Sequence, residues 1–235
     1  MGFQGTTEEA DGAVRGVTLK QADGIWLPEA DVHFKEMMRR EPTRDYRGRR
    51  VGVYQFGKIS RAIAHAKRRR VALDVGAHVG FWSMWLAESF ERIHAFEPVP
   101  EHAECWRRNL AGIQNATLRE AAVGRECGRA GLAVERANSG LSHVSGGDDV
   151  EMVAIDALVV GAVDLIKIDT EGFESAVLDG AIETIRRNLP VIVVETNGQH
   201  ARYGHAEPVK LLQGMGAVVL DRMRHDVIMG WPDAL

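Results

Sequence analysis

Residues Val71-Ala72-Leu73-Asp74-Val75-Gly76-Ala77-His78-Val79-Gly80 carry an apolar strand into a turn of small residues, and the sequence from Phe81 onward has the pattern of a helix. In open parallel sheets, ligands bind at this carboxyl edge of the strands. Glycine belongs where the backbone takes positive φ or approaches a ligand closely, and Gly76 and Gly80 flank the turn in that way. A dinucleotide fingerprint requires G-x-G-x-x-G. His78 stands where its second glycine would be, and a side chain there crowds a pyrophosphate. The turn therefore suits a smaller, phosphate-free nucleoside.

The next strand reads Ile93 to Glu97 and ends in Ala95-Phe96-Glu97-Pro98. Glu97 follows Gly76 by 21 positions, the spacing of an acid that accepts hydrogen bonds from ribose hydroxyls. A third stretch, Asp164-Leu165-Ile166-Lys167-Ile168-Asp169-Thr170-Glu171-Gly172-Phe173-Glu174, places a lysine inside an apolar strand that runs into acids. Burying Lys167 is costly without a carboxylate partner, and Asp169 and Glu171 are the nearest candidates. Lys167 is either a tethering ion pair or part of the chemistry, and the residues alone leave both open.

Around these stretches the chain alternates: strand Val71 to Val75, helix Phe81 to Phe90, strand Ile93 to Glu97, helix Glu101 to Leu110, strand Thr117 to Val123. Alternation of this kind predicts a parallel sheet covered by helices. Residues Gly124 to Asp149, rich in Gly, Ser and Asn, read as an inserted hairpin or loop suited to substrate contacts. The alternation resumes with Val150 to Ile155, Leu165 to Ile168, a helix from Glu174 to Arg187 and strand Val191 to Glu195. Strands Ala217 to Leu220 and Val227 to Met229 close the chain as a hairpin. Residues 1 to about 24 read as a loose leader, and Trp26 to Arg70 as a helical prelude ending in Lys67-Arg68-Arg69-Arg70. The predicted organisation is a leader and prelude over 1–69 and a catalytic-type α/β domain over 70–235.

The 235 residues suffice for one large α/β domain, and a net charge of −4 gives no overall attraction to polyphosphate, which argues against nucleic acid as a partner. The charge is uneven: residues 1–70 hold 15 Lys and Arg against 9 Asp and Glu. That asymmetry leaves a local anionic contact open. Cys105 and Cys127 lack metal-ligand spacing. No apolar run reaches the roughly 20 residues that span a bilayer, and a cytoplasmic protein is expected. Met1, Gly2 and Thr6 match a myristoylation pattern too short to weigh much.

Taken together, Leu73-Asp74-Val75-Gly76-Ala77-His78-Val79-Gly80, Ala95-Phe96-Glu97-Pro98, Glu120-Ala121-Ala122-Val123-Gly124, and Ile166 through Glu174 followed by Gly180-Ala181 resemble the FkbM family of class I, S-adenosylmethionine-dependent methyltransferases. The resemblance covers about residues 70 to 200. It implies a Rossmann-like seven-stranded sheet of order 3-2-1-4-5-7-6, with S-adenosylmethionine above strands one, two and four. It also implies that Gly76, Ala77 and Gly80 wrap the methionine portion, Glu97 the ribose, Ala121 and Ala122 the adenine edge, and Asp169 the ammonium group or reacting centre. Asp74, His78 and Pro98 complete the candidate cofactor set. Where the family commonly has Asn in the turn, this chain has His78, which leaves that residue's own contact open.

For an alcohol acceptor, methyl transfer calls for alignment and for a base. Asp169, Glu171 and Glu195, with Lys167, form the candidate catalytic set, and His200 and His143 are weaker candidates. Asp169, Glu195 and Asn197 also carry hard oxygens of the kind magnesium or calcium prefers, although neutralising Lys167 accounts for the acids equally well. The expected reaction is O-methylation of a hydroxyl on a sugar, glycan or related small metabolite. Methylation of a nucleic-acid or protein nitrogen, and a non-catalytic cofactor-binding module, are the alternatives.

Overall fold

The computed structural model describes residues 18–196 and 207–232. The myristoylation pattern at Met1, Gly2 and Thr6, the leader up to residue 17, and the candidates Asn197 and His200 lie outside the described residues. The prelude begins with Leu19–Ala22 (β1) and Ile25–Pro28 (β2), paired antiparallel with Ala22 opposite Ile25. The connection is therefore two residues, Asp23 and Gly24, both at positive φ (47° and 75°). This is the primed turn whose twist matches the flanking strands, and Asp-Gly is among its preferred sequences. After His33–Met38 (α1), the hairpin Arg44–Tyr46 (β3) and Arg49–Val51 (β4) repeats the device through Arg47 and Gly48. Phe56–His65 (α2) completes the prelude. The helical reading thus holds for α1 and α2, while two short hairpins take the rest, because local turn chemistry outweighed weak helical periodicity.

The sheet then builds in chain order: Val71–Val75 (β5), Phe81–Ala87 (α3), Arg92–Phe96 (β6), Pro100–Asn109 (α4) and Ala116–Arg119 (β7). Ala122–Val123 (β8), Gly128–Ala133 (β9) and His143–Val153 (β10) follow. The chain returns with Val163–Ile168 (β11), Glu174–Asp179 (α5), Ile182–Asn188 (α6) and Val191–Glu195 (β12). Pro208–Gly214 (α7), Val218–Arg222 (β13) and Asp226–Gly230 (β14) end it. The central sheet runs β13-β14-β12-β11-β5-β6-β7. Counting its strands from β5, the order is 3-2-1-4-5-7-6, with only the pairings of β14 antiparallel.

Both sheet faces are covered, which is why β5, β11 and β12 are apolar at successive positions rather than alternate ones. Val71, Leu73 and Val75 face the core built with α5, α6 and α7, whereas Ala72, Leu165 and Val193 meet Ile59 and Ala62 of α2 and Trp82 and Leu86 of α3. A third cluster joins the prelude to the domain: Ile25, Leu27, Phe34 and Met38 pack with Val79, Phe81, Met84 and Trp106. The basic run past α2 partly pins the sheet, since Arg70 donates from its backbone N and its guanidinium to the Asp164 carboxylate at 2.5–2.9 Å.

Two expected boundaries shift for identifiable reasons. Residues 150–155 do not open a strand of the central sheet: β10 pairs antiparallel with β9 and parallel with β8 in a separate three-stranded sheet. The helix foreseen over Glu174 to Arg187 breaks at Gly180 and Ala181. A Cβ on Gly180 would lie 2.0 Å from the Gly124 carbonyl oxygen, so the chain approaches the end of β8 there in a way only glycine permits.

That close approach makes Gly180→Ala destabilising by about 1–3 kcal/mol, since the obstruction is backbone and not a flexible side chain. Gly57→Ala, in α2 with open space around its Cβ position, is expected to stabilise by about 0.5–1 kcal/mol. Denaturant unfolding of the two variants checks both signs.

Candidate functional site

At the carboxyl edge of β5, the Gly76 and Ala77 amides both donate to the Phe96 carbonyl at 3.0 Å, so β6 holds the turn. Gly76 sits at φ 73°, and a Cβ there would lie 1.9 Å from the Asp169 carbonyl oxygen. The turn and the loop after β11 touch backbone to backbone, and no residue with a side chain fits between them.

Beneath that contact lies Lys167, only 4% exposed. Its Nζ donates to the carbonyls of Gly76 (2.5 Å) and Val75 (3.3 Å), and lies 3.3 Å from Asp74 Oδ1 and 4.0 Å from Asp169 Oδ2. Burial works against its charge, but Asp74 and Asp169 outweigh burial and raise its pKa above the ordinary lysine value. Asp74 itself is fully buried, and its Oδ2 accepts from Ser83 Oγ at 2.6 Å, which in turn accepts from Trp106 Nε1 at 2.9 Å.

Glu97 is 5% exposed and already heavily engaged. Its Oε2 accepts from the His78 amide at 2.8 Å, while Oε1 accepts from the Val99 amide at 3.0 Å and lies 3.2 Å from His102 Nδ1. A carboxylate offers about four acceptor positions. Three are taken inside the protein, so one remains on Oε2 for a ribose hydroxyl, not the pair that the sequence spacing suggested.

Gly76, Ala77, His78, Glu97, Pro98, Ala121 and Ala122 line one cavity together with Lys167, Asp169, Glu171 and Glu195. Asp74 and Gly80 do not line it: Asp74 lies below the turn with Lys167, and Gly80 packs under Leu110 and Trp106, where a Cβ would meet them at 2.6 and 3.0 Å. The cavity, with the open solvent at its mouth counted in, takes up about 1120 Å³. Its donor set fits S-adenosylmethionine: exposed turn backbone beside Gly76, one free carboxylate position at Glu97, and the small side chains of Ala121 and Ala122 where a flat base needs room.

In the same cavity, Asp169, Glu171 and Glu195 converge, each offering an oxygen within 4.8 Å of the others. Carboxylates this close share protons or hold a hard cation. Burial, followed by the charges of Asp169 and Glu171, pushes the Glu195 pKa up to about 10. Neighbouring Asp226, paired opposite Glu195 across β12 and β14, is ion-paired with Lys58 from α2. Glu174, at the start of α5, closes the loop: its Oε1 accepts from the Thr170 and Gly172 amides at 3.0 and 2.9 Å. Three residues other than glycine adopt left-handed backbone around this cavity, Gln55, His78 and Glu171, the kind of local strain that surrounding structure must hold in place.

Sequence reasoning missed the wall given by the prelude. His33, Phe34, Tyr54 and Gln55 line the cavity, Phe34 meeting His78 at 4.6 Å and Tyr54 at 5.0 Å between ring centroids. Burial pushes the Tyr54 hydroxyl up to about 12. The available signal was Asp23-Gly24, which predicts a hairpin and so turns the following segment back onto the domain. His102, in the helix after Glu97, was missed as well. The insert was anticipated as a contact region, and its residues Asn138 to Val144, His143 included, do line the cavity.

The family description "Methyltransferase FkbM domain" matches residues 74–219. A comparison with curated protein sequences returned no match. Among solved structures, the chain is similar to methyltransferase FkbM from Methylobacillus flagellatus KT, with 17% identity and a TM-score of 0.44 over 69% of this chain. It spans 43% of the length of that protein. It is also similar to an rRNA methylase from Streptococcus thermophilus (10% identity, TM-score 0.49, 74% of this chain and 93% of that one). A third similar structure is the N-methyltransferase NodS from Bradyrhizobium japonicum WM9 (12% identity, TM-score 0.46, 74% and 82%). Among the described residues no helix is long and apolar enough to cross a membrane. With more than half of the chain matched by the family description, this protein belongs to the FkbM family of methyltransferases.

Proposed function

We propose that the chain methylates a hydroxyl of a sugar, glycan or related small metabolite, with Asp169 as the base. The observation that carries this reading is the placement of Asp169 in one cavity with the glycine turn and with two further carboxyl groups, Glu171 and Glu195. When bound, S-adenosylmethionine supplies an electrophilic methyl group on a sulfonium, and an alcohol attacks it well only as its proton departs. Asp169 stands at the end of β11, with its Oδ2 4.0 Å from the Lys167 ammonium. Glu195, held protonated at neutral pH, is a hydrogen-bond donor to an acceptor oxygen rather than a competing base. Phe34 and Tyr54 line the cavity on the prelude side, and with the segment from Asn138 to Val144 they limit water around the reacting atoms. Most of the acceleration is assigned to alignment in this cleft.

Three outcomes test the reading. Glu97→Gln places an amide N–H against backbone N–H donors, so S-adenosylmethionine binding measured by calorimetry should weaken about ten-fold or more. No measurable binding to the wild type would remove the cofactor site as drawn. Asp169→Asn should lower turnover about 10²-fold or more, with cofactor affinity changed only a few-fold, when tritium transfer from labelled donor is followed into fractionated metabolites and glycans. Label appearing only in RNA or DNA would overturn the acceptor class.

The raised Glu195 pKa also sets a pH dependence of stability. The folded protein holds this proton more tightly than the unfolded chain does. The stabilisation is therefore complete below the unfolded carboxyl pKa, about 4.3, and is lost as pH rises through that value toward the folded one near 10. Wild-type thermal stability should fall between about pH 6 and about pH 9, and Glu195→Gln should fall less over the same window. Parallel melting curves for the two proteins would defeat the assignment of a protonated Glu195.

A further inference from the structure

Asp31, between β2 and α1, is fully buried and does not line the cavity. Its Oδ1 accepts from the Phe34 amide at 2.9 Å, and its Oδ2 accepts both from the Ser139 amide at 2.9 Å and from the Ser139 hydroxyl. The Val32 amide donates to the Ala137 carbonyl at 3.3 Å, so prelude and insert are joined at this point by backbone as well. Ser139 Oγ lies 2.6 Å from His78 Nε2.

The direction of these bonds follows from counting protons. An ionised carboxylate only accepts, so the single Ser139 hydroxyl proton goes to Asp31, and the Ser139 oxygen is left as the acceptor for His78 Nε2–H. This fixes the imidazole as its Nε2–H tautomer and leaves Nδ1 without a proton, in agreement with a buried Nδ1 that has no hydrogen-bond partner. Burial and the neighbouring His102 and Lys167 charges keep the ring neutral. The fixed ring lies between Phe34 and His102, at 4.6 and 4.5 Å between centroids. From His78 the constraint reaches Glu97 twice, through the His78 amide on Oε2 and through His102 against Oε1.

We propose that Asp31 is a positioning residue for the cofactor: by orienting Ser139 it locks the His78 imidazole in one tautomer, and so holds the glycine turn and Glu97 in the geometry that takes the ribose. This rests on the S-adenosylmethionine site described above. It makes the hairpin-built prelude and the insert, which the sequence separates by about a hundred residues, parts of the cofactor site, although Asp31 itself does not line the cavity. Asp31 sets affinity for S-adenosylmethionine and leaves the reacting groups around Asp169 unaltered.

The test is calorimetry of the full chain with S-adenosylmethionine and with S-adenosylhomocysteine for wild type, Asp31→Asn, Ser139→Ala and the double variant. Asparagine must turn an N–H toward either the Phe34 amide or Ser139, so each single change should weaken binding of both ligands about ten-fold. The double variant should weaken binding by about the same ten-fold rather than the roughly hundred-fold that independent sites give. Long-range proton–nitrogen spectra should show His78 protonated at Nε2 in the wild type and mixed tautomers in Ser139→Ala, a signature that loss of packing alone does not produce. Should Asp31→Asn fail to fold, Ser139→Ala with the tautomer spectrum decides the matter. Affinities within about two-fold of wild type, additive losses, or a wild-type His78 protonated at Nδ1 would overturn the role of Asp31 while leaving the cofactor site intact. Absence of binding to the wild type would overturn both.

Discussion

Lys167 puts a positive charge inside a parallel sheet, and the architecture of the cavity follows from how that charge is satisfied. Its ammonium draws together the Asp74 carboxylate and the Val75 and Gly76 carbonyls, three acceptor groups at the end of β5. Removing one partner of such an arrangement leaves an uncompensated buried charge, which costs about 3–5 kcal/mol in comparable settings. The ion pair therefore fixes the strand end from below while the Phe96 carbonyl fixes the turn from the side. With the turn held twice, the backbone contact between Gly76 and Asp169 ties the end of β5 to the loop after β11.

The acids above this point are unbalanced by design of the local charges. Lys167 reaches Asp169 at 4.0 Å but is committed mainly to Asp74, and Lys58 is committed to Asp226. Glu195 is left to solve its burial by keeping a proton. Two carboxyl groups in one cavity, one beside a lysine and one held neutral by burial, stand in the unlike surroundings by which proteins separate acceptor and donor roles in a single site.

The turn is not held by its own residues alone. The residues around it at positive φ, His78 in the turn itself and Gln55 at the start of α2, are held by contacts from elsewhere: Gln55 accepts from Trp82 Nε1 at 3.0 Å, and its amide donates to Glu41. The prelude thus serves as a scaffold for strained backbone as well as a wall. Its aromatic rings pack against α3 and not against one another only, which is why the cluster of Phe34, Tyr54 and Phe81 spans the junction.

The sequence by itself determined the parallel sheet, its strand order through family resemblance, and the positions of the glycine turn, Glu97 and the acid-rich loop. These are local signals: apolar runs of strand length, glycines at a turn, and acids at strand ends are each written in consecutive residues. It did not reveal that Glu97 has one acceptor position left, that Asp74 serves Lys167 from below the turn, or that Glu174 clasps a loop, because each depends on which donors the fold brings within 3.3 Å. The wall from Phe34 and Tyr54 and the chain from Asp31 through Ser139 to His78 were invisible for the same reason. Their members are separated by tens to about a hundred residues, and only the folding of two hairpin-bearing segments onto one turn made them neighbours.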